Sequence, residues 1–213
     1  MGRQLNKIRT EPRPLAIPIP GGDVVTGIEW QADAAAILFL HDTADELALD
    51  SWGAWPDRFA ALGYHVVVVD LTPDREETAF SAAVGYLGME TVQKRFIVAA
   101  GDALCLLDAE SADAFVLIAP QPANRDPLEL GIVPKLIIAG SCSVEEYAKV
   151  EAFSRACRGW SLLSTFATKN SISALLEGRH SGQIGSQIAS FLQEYRAPRV
   201  KPGPLRTGKQ SPG

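Results

Sequence analysis

Residues 96–107 read FIVAAGDALCLL, which is the residue order of a strand, a tight turn and a helix. An apolar run of strand type ends in Ala99 and Ala100, Gly101 and Asp102 supply the turn, and a second apolar run follows. A sharp turn from a strand into a helix is the geometry that holds a nucleophilic side chain at the edge of a sheet. We therefore look for a nucleophile in this turn.

Two registers of the turn fit the sequence, and they differ in which residue takes the nucleophile slot. The residues two positions before and after a nucleophile in such a turn come into close contact and must be small. With Gly101 in the slot these neighbours are Ala99 and Ala103, whereas with Asp102 in the slot one neighbour is the bulky Leu104. The first register is favoured, and it leaves the slot without a side chain. Asp102 stays the alternative, as a carboxylate nucleophile.

The segments around this turn predict an α/β fold with a mainly parallel sheet flanked by helices. The apolar runs AILFLH, HVVVVD, FIVAA, AFVLIAP and KLIIAG are typical of strands that are covered on both faces. Segments of helical periodicity alternate with them, and an amphipathic helix over residues 184–192 follows the last strand, WSLLSTFA. Near the start, LAIPIP and DVVTGIEW flank Gly21 and Gly22, which predicts an antiparallel hairpin.

The segment SWGAWPDRFAALGY, between the first two long strands, has helical periodicity. Trp52, Trp55, Phe59 and Leu62 fall on one helical face, and Gly63 marks its end. The two tryptophans are core packing if they are buried, whereas together on the surface they would indicate an interface.

Length and charge restrict the class of protein. The 213 residues suit one domain, predicted at residues 15–195, with an N-terminal extension over residues 1–14. Residues 196–213 are rich in Pro and Gly, carry five positive residues and no acid, and predict a basic, disordered tail. The formal net charge of −5 argues against a nucleic-acid surface. Without an apolar membrane span or a secretory signal, we expect a soluble cytoplasmic protein.

Cysteines, metals and cofactors leave few signals in this sequence. Cys105, Cys142 and Cys157 are odd in number and lack CxxC spacing, so we expect buried, reduced thiols. No HxxxH or HxD spacing supports a metal site, and neither G-x-G-x-x-G nor G-x-x-x-x-G-K-[ST] occurs. The sequence therefore predicts no metal and no cofactor.

Taken in order, these segments resemble the α/β-hydrolase superfamily. AILFLHD, RFAALGY and HVVVVDL resemble its opening strand, helix and second strand, and FIVAAGDALCLL falls where that family has its nucleophile elbow. PKLIIAGSCS falls at the acid-bearing strand and NSISALLEG at the histidine loop. The resemblance covers about residues 15–195 and implies a triad in the chain order Ser, Asp or Glu, His.

The residues at the implied triad positions do not suit triad chemistry. Gly101 takes the nucleophile slot, Ser143 the acid slot, and Asn170 or Ser171 the base slot. Neither asparagine nor serine takes a proton from an alcohol near neutral pH. The two glutamates after Ser143 are interpreted as first-turn acids of a helix that Ser143 caps.

The oxyanion loop and the lid also depart from the family pattern. His41 ends the first long strand, and Asp42 replaces the usual glycine, where a carboxylate would repel a developing oxyanion. Only QPANRDPLELGIV separates AFVLIAP from PKLIIAG, so no lid is expected. The carboxyl ends of the strands would still offer His41, Asp42, Asp102 and Gln121 to a ligand.

Two functions stay open. The first is a non-catalytic binding, regulatory or assembly protein, with an unknown protein or a small molecule as its partner. The second is an esterase-like hydrolase with displaced catalytic residues, around Asp102 or Ser143 with His41 or His180. Against a catalytic role, we expect His180 to be a helix-end residue and His65, which opens a strand, to be structural.

Overall fold

The computed structural model of the chain describes residues 11–32, 35–41, 52–72, 74–89, 92–122 and 125–196. Within these residues the strands, in chain order, are β1 (Arg13–Pro18), β2 (Val24–Trp30), β3 (Ala36–Leu40), β4 (His65–Val69), β5 (Arg95–Ala100), β6 (Ala114–Ile118), β7 (Lys135–Gly140) and β8 (Ser161–Phe166). They form one sheet in the order β1-β2-β4-β3-β5-β6-β7-β8. The strands from β4 to β8 along the sheet are parallel, and β1 and β2 form an antiparallel hairpin beside them. The predicted fold class is confirmed.

Helices cover both faces of this sheet. In the described part of the chain they are α1 (Trp55–Ala61), α2 (Glu76–Met89), α3 (Val144–Ala156), α4 (Ile172–Leu176) and α5 (Ser181–Arg196), with 3₁₀ helices at Gly101–Leu106 and Pro127–Leu130. One apolar cluster packs α1, α4 and α5 on one face, and a second packs α2 and α3 on the other.

The run of valines in β4 shows why the strands form a two-sided core. Val66 and Val68 point into the cluster with α1 and α5, whereas Val67 and Val69 point into the cluster with α2 and α3. All four are buried, and burying one such side chain contributes roughly 1.5–3 kcal/mol. A strand covered on both faces has no polar side, which explains its unbroken apolar sequence.

The segment before β4 forms a shorter helix than its periodicity predicts. The helix begins at Trp55, and Leu62, which the pattern places on the buried face, caps its end and is 53 % exposed. Trp52 and Trp55 are 1 % and 3 % exposed and pack in the core with Phe59. The two tryptophans are therefore core packing and not an interface.

The crossover after β5 also differs from the expected α-helix. Residues 101–106 form a 3₁₀ helix, and a turn leads directly into β6. The sequence of a six-residue apolar run does not distinguish a 3₁₀ helix from an α-helix, because most of its side chains are buried with either 3.0 or 3.6 residues per turn.

The two ends of the chain are only partly described. The predicted N-terminal extension and basic tail lie mostly outside the described residues, apart from residues 11–14 and Arg196. Arg196 ends α5 and donates hydrogen bonds to the carbonyls of Leu62 and Gly63. None of the described helices is both long and apolar enough to cross a membrane.

Candidate functional site

The turn after β5 has the backbone of an elbow with no side chain at its apex. Gly101 follows the last residue of β5 and has a φ of 59°, a left-handed value that favours glycine. Ala99 and Ala103, which flank it at two positions, are both buried. The carbonyl of Gly101 accepts a hydrogen bond from the backbone N–H of Gln121 at 3.1 Å. Asp102, the next residue, is half-buried.

Sheet order brings several candidate residues to one edge. β3, β5 and β6 are neighbours and parallel, so His41, Gly101 and Gln121 follow adjacent strand ends. Ser143 and Asn170 follow the next two strands, β7 and β8. Asp42, the predicted oxyanion-loop carboxylate and ligand-binding residue, lies outside the described residues.

His41 holds two strand ends together. Its side chain is buried, and its Nε2 accepts a hydrogen bond from the backbone N–H of Leu71 at 3.1 Å. The lone pair of Nε2 is therefore in use, and the proton of the neutral ring is on Nδ1. In this arrangement Nε2 cannot also accept a proton from a nucleophile.

The residues at the acid slot serve the start of α3. Ser143 is the N-cap of α3, and its Oγ accepts a hydrogen bond from the N–H of Glu146 at 3.3 Å. The predicted capping role of Ser143 is confirmed. Glu145 forms an exposed ion pair with Lys149 at 2.7 Å, and this hydrogen-bonded pairing lowers the pKa of Glu145.

The base slot is likewise occupied by backbone contacts. Oδ1 of Asn170 accepts a hydrogen bond from the backbone N–H of Gly140, the last residue of β7, at 3.0 Å. A side chain at position 140 would collide with the carbonyl of Lys169, so glycine permits this close approach. Ser171 is the N-cap of α4, and its Oγ accepts a hydrogen bond from the N–H of Ala174 at 3.4 Å.

The two remaining histidines contact residues that lie outside the turn after β5. His180 precedes α5, is half-buried, and has its ring centre 5.3 Å from that of Phe166. Its Nε2 accepts a hydrogen bond from Nε of Arg179 at 3.0 Å. His65 is buried at the start of β4, at the opposite end of the strands, with Nε2 3.3 Å from a carboxylate oxygen of Glu29.

Solved hydrolases share this architecture. The structure of a dienelactone hydrolase from Anabaena variabilis superposes with a TM-score of 0.72 at 16 % identity, covering 88 % of this chain and 99 % of the other. An esterase from Pyrococcus furiosus gives 0.70 at 14 % identity, covering 88 % and 92 %. This chain has the α/β-hydrolase fold. A thermostable carboxylesterase cloned from a metagenomic library gives 0.71 at 12 % identity, covering 91 % and 92 %. No family model and no curated protein matches the sequence.

In this α/β-hydrolase fold the loop between β6 and β7 is fastened to the elbow. Arg125 donates hydrogen bonds from Nη1 to the carbonyl of Cys105 and from Nη2 to the carbonyl of Leu107, at the end of the 3₁₀ helix. Its Nη1 also lies 2.6 Å from a carboxylate oxygen of Glu129. Sequence reasoning missed Arg125, because no motif or periodicity marks a cation that binds carbonyls distant in the chain.

A cavity of about 290 Å³ lies at the carboxyl edge of the α/β-hydrolase sheet. Its lining residues come from the segments after β6 and β8 and from α3, and they are Pro120, Gln121, Pro122, Glu146, Lys149, Val150 and Asn170. The lining therefore combines amide groups with proline and valine, one cation and one carboxylate. This size is at the lower limit for small-ligand sites.

The cysteines are free thiols with unequal exposure. Burial, together with the negative charge of Asp102, raises the pKa of Cys105, and burial raises the pKa of Cys157. The predicted burial is wrong for Cys142, which is exposed in the turn between β7 and α3, and Cys105 and Cys157 are half-buried and not fully buried. Among the described residues, no group of three or more His, Cys, Asp and Glu side chains is placed to hold a metal ion.

Proposed function

We propose that this protein uses the α/β-hydrolase fold without acyl-transfer chemistry and binds a partner at the carboxyl edge of its sheet. One observation carries the proposal: the residue at the apex of the elbow is Gly101, in a left-handed conformation and without a side chain. Covalent ester hydrolysis needs a nucleophilic side chain at that apex and a base beside it.

The state of the base slot supports the same conclusion. An amide has no basic lone pair near neutral pH, and Oδ1 of Asn170 already accepts a hydrogen bond from the N–H of Gly140. His41, the alternative base, follows the strand beside β5, and its Nε2 accepts a hydrogen bond from the N–H of Leu71. Both side chains maintain the strand ends, which is a structural task.

The cavity at this edge suits recognition of a small polar group. The amide of Gln121 and the amide NH₂ of Asn170 supply polar groups, while Pro120, Pro122 and Val150 supply rigid apolar contact. Rigid walls with a few polar groups favour binding, because little conformational entropy is lost on contact. We therefore assign binding of a small molecule, or of a polar side chain on a protein partner, to this cavity.

Hydrolytic activity is tested with a panel of aryl esters and acyl thioesters. We expect the wild-type protein and the Gly101→Ser variant to give rates equal to buffer, because the variant gains an alcohol but no base. Turnover by the wild type that disappears in folded His41→Ala or His180→Ala protein would overturn the proposal and support displaced catalytic residues.

Binding is tested by purification of the tagged protein from native lysate. We expect a protein or small molecule to stay bound to the wild type and to be lost from the cavity variant Asn170→Ala. The matched control is Thr78→Ala, at an exposed position of α2, a helix that contributes no residue to the cavity lining. Retention of nothing by the wild type would remove support for the binding role.

A further inference from the structure

The strand β8 ends the sheet and leaves one row of backbone groups without a neighbouring strand. The carbonyls of Trp160 and Phe166 accept hydrogen bonds from the β7 side, from the N–H groups of Lys135 and Ser141. Backbone groups of alternate residues point to the same side of a strand. The N–H and C=O groups of residues 161, 163 and 165 therefore point away from β7.

No described residue takes these outward groups. Ser161, Leu163 and Thr165 have no backbone hydrogen bond outside the sheet ladder, and α3 and α5 cover the faces of β8 and not its edge. The opposite edge of the sheet is different, because β1 carries Pro14 and Pro18, which have no N–H to offer. Of the two edges of the sheet that the described residues form, the edge at β8 is the one with an N–H group at every position, as strand addition requires.

The surface along this edge is uncharged and partly apolar. Residues 160–168 read WSLLSTFAT and contain no charged side chain. Trp160 is 45 % exposed and Leu162 is 46 % exposed. The ring of Trp160 stacks on Phe191 with centroids 5.7 Å apart, so this exposed surface is held in place. Charged residues that normally prevent strand addition are absent from the strand.

We propose that β8 pairs antiparallel with β8 of a second copy of this chain, about a two-fold axis at Leu163. In this register Leu163 is opposite the partner's Leu163, and Ser161 is opposite the partner's Thr165. Every outward residue of the strand then lies in a hydrogen-bonded pair, in which both N–H···O=C bonds form. The result is one continuous sheet across the dimer, with the exposed faces of Leu162 and Trp160 against the partner.

The absence of charge on this edge permits a second copy as its occupant. Each chain has a formal net charge of −5, so two copies repel each other over most of their surface. The uncharged strand is where that repulsion is weakest. The adjacent helix α3 carries Glu151 and Arg155 as an i,i+4 pair at 2.9 Å, so these two charges offset each other within one copy and add no like-charge repulsion beside the strand.

The test compares two substitutions at one outward position by sedimentation velocity over a range of concentrations. Thr165→Pro removes an N–H that β7 does not use, whereas Thr165→Ala keeps it. We expect wild-type protein and Thr165→Ala to reach twice the monomer mass of 22.9 kDa, and Thr165→Pro to self-associate at least about tenfold more weakly. A wild type that stays monomeric at all concentrations would refute the proposal.

Hydrogen exchange of single amides locates the interface. The amides of Leu163 and Thr165 are expected to slow as the dimer forms, whereas those of Leu162 and Ser164, bonded to β7, stay slow throughout. A dimer in which the outward amides still exchange fast would place the interface elsewhere and reject the proposal. Slow outward amides in a monomer, made fast by truncation after Arg196, would show that the C-terminal segment covers the edge and would also reject it.

Discussion

The side-chain oxygen of Asn170 accepts a hydrogen bond from the backbone N–H of Gly140 at 3.0 Å. This bond ties the loop after β8 to the end of β7, at the position where the α/β-hydrolase resemblance implies a catalytic histidine. A residue that would be a base in an enzyme is thus an acceptor for the backbone here. At two other implied positions, Ser143 caps α3 and Ser171 caps α4.

Asn170→His is expected to destabilise the protein without producing hydrolysis. The imidazole does not reproduce the short acceptor geometry of Oδ1, so the N–H of Gly140 loses its partner, at a cost of about 1–2 kcal/mol. Asn170→Asp keeps an oxygen acceptor and is the matched control. Urea denaturation measures both, and equal midpoints for wild type and Asn170→His would contradict the structural role.

Substitutions at two glycines should have opposite effects. Gly101→Ala places a side chain on a residue with a φ of 59° and should cost about 1–2 kcal/mol. Gly85→Ala lies inside α2 with no atom near the added methyl group and should stabilise by about 0.5–1 kcal/mol. Thermal denaturation compares them. A Gly101→Ala protein as stable as wild type would mean that the elbow relaxes out of its left-handed backbone.

Arg125→Met is expected to loosen the 3₁₀ helix after the elbow. The guanidinium bonds the carbonyls of Cys105 and Leu107, and their loss leaves acceptors unpaired, at a cost of about 1–3 kcal/mol. Glu129→Gln removes only the ion pair to a carboxylate that is 55 % exposed, so it should change stability little. Faster hydrogen exchange over residues 101–107 in Arg125→Met alone is the expected readout, and equal exchange in both variants would refute the role.

The three thiols should react in a definite order. Cys142 is exposed, whereas burial raises the pKa of Cys105 and of Cys157 and so lowers their thiolate fraction near neutral pH. Alkylation by iodoacetamide, followed by peptide mass spectrometry, should modify Cys142 first, and the other two should accelerate as the pH rises. Modification of Cys105 ahead of Cys142 in folded protein would contradict this order.

Alkaline pH should weaken the fold through Tyr64. Burial raises the pKa of Tyr64, an effect that the Arg196 guanidinium above its ring opposes. The unfolded chain then ionises first, at about pH 10, and binds fewer protons than the folded chain, so the free energy of unfolding falls as the pH rises further. Denaturant titrations between roughly pH 9 and pH 11 should give a shallower fall in the free energy of unfolding for Tyr64→Phe than for wild type. The same slope in both proteins would assign the pH dependence to another group.

Most of the fold followed from local patterns. The valines of β4 predict a strand covered on both faces, and Gly21 with Gly22 predicts the hairpin that β1 and β2 form. The helix boundaries were less predictable: Leu62 fits the periodicity of α1 but lies exposed at its end. Periodicity records which residues are able to face a core, whereas the neighbouring elements decide how far the core extends.

For the candidate site, residue types alone determined what the side chains at two of the implied positions are unable to supply. Glycine has no side chain and asparagine has no basic lone pair in any fold. The printed sequence therefore shows that Gly101 supplies no nucleophile and Asn170 supplies no base. Only the tertiary structure decided what these positions do instead. The hydrogen bond from Gly140 to Asn170 joins residues that are distant in the chain, and so do the hydrogen bonds of Arg125 to the carbonyls of the 3₁₀ helix. The open edge of β8 follows from the order of the strands in the sheet. These features depend on the order of the strands and on how the loops pack against them, which no local pattern of residues encodes.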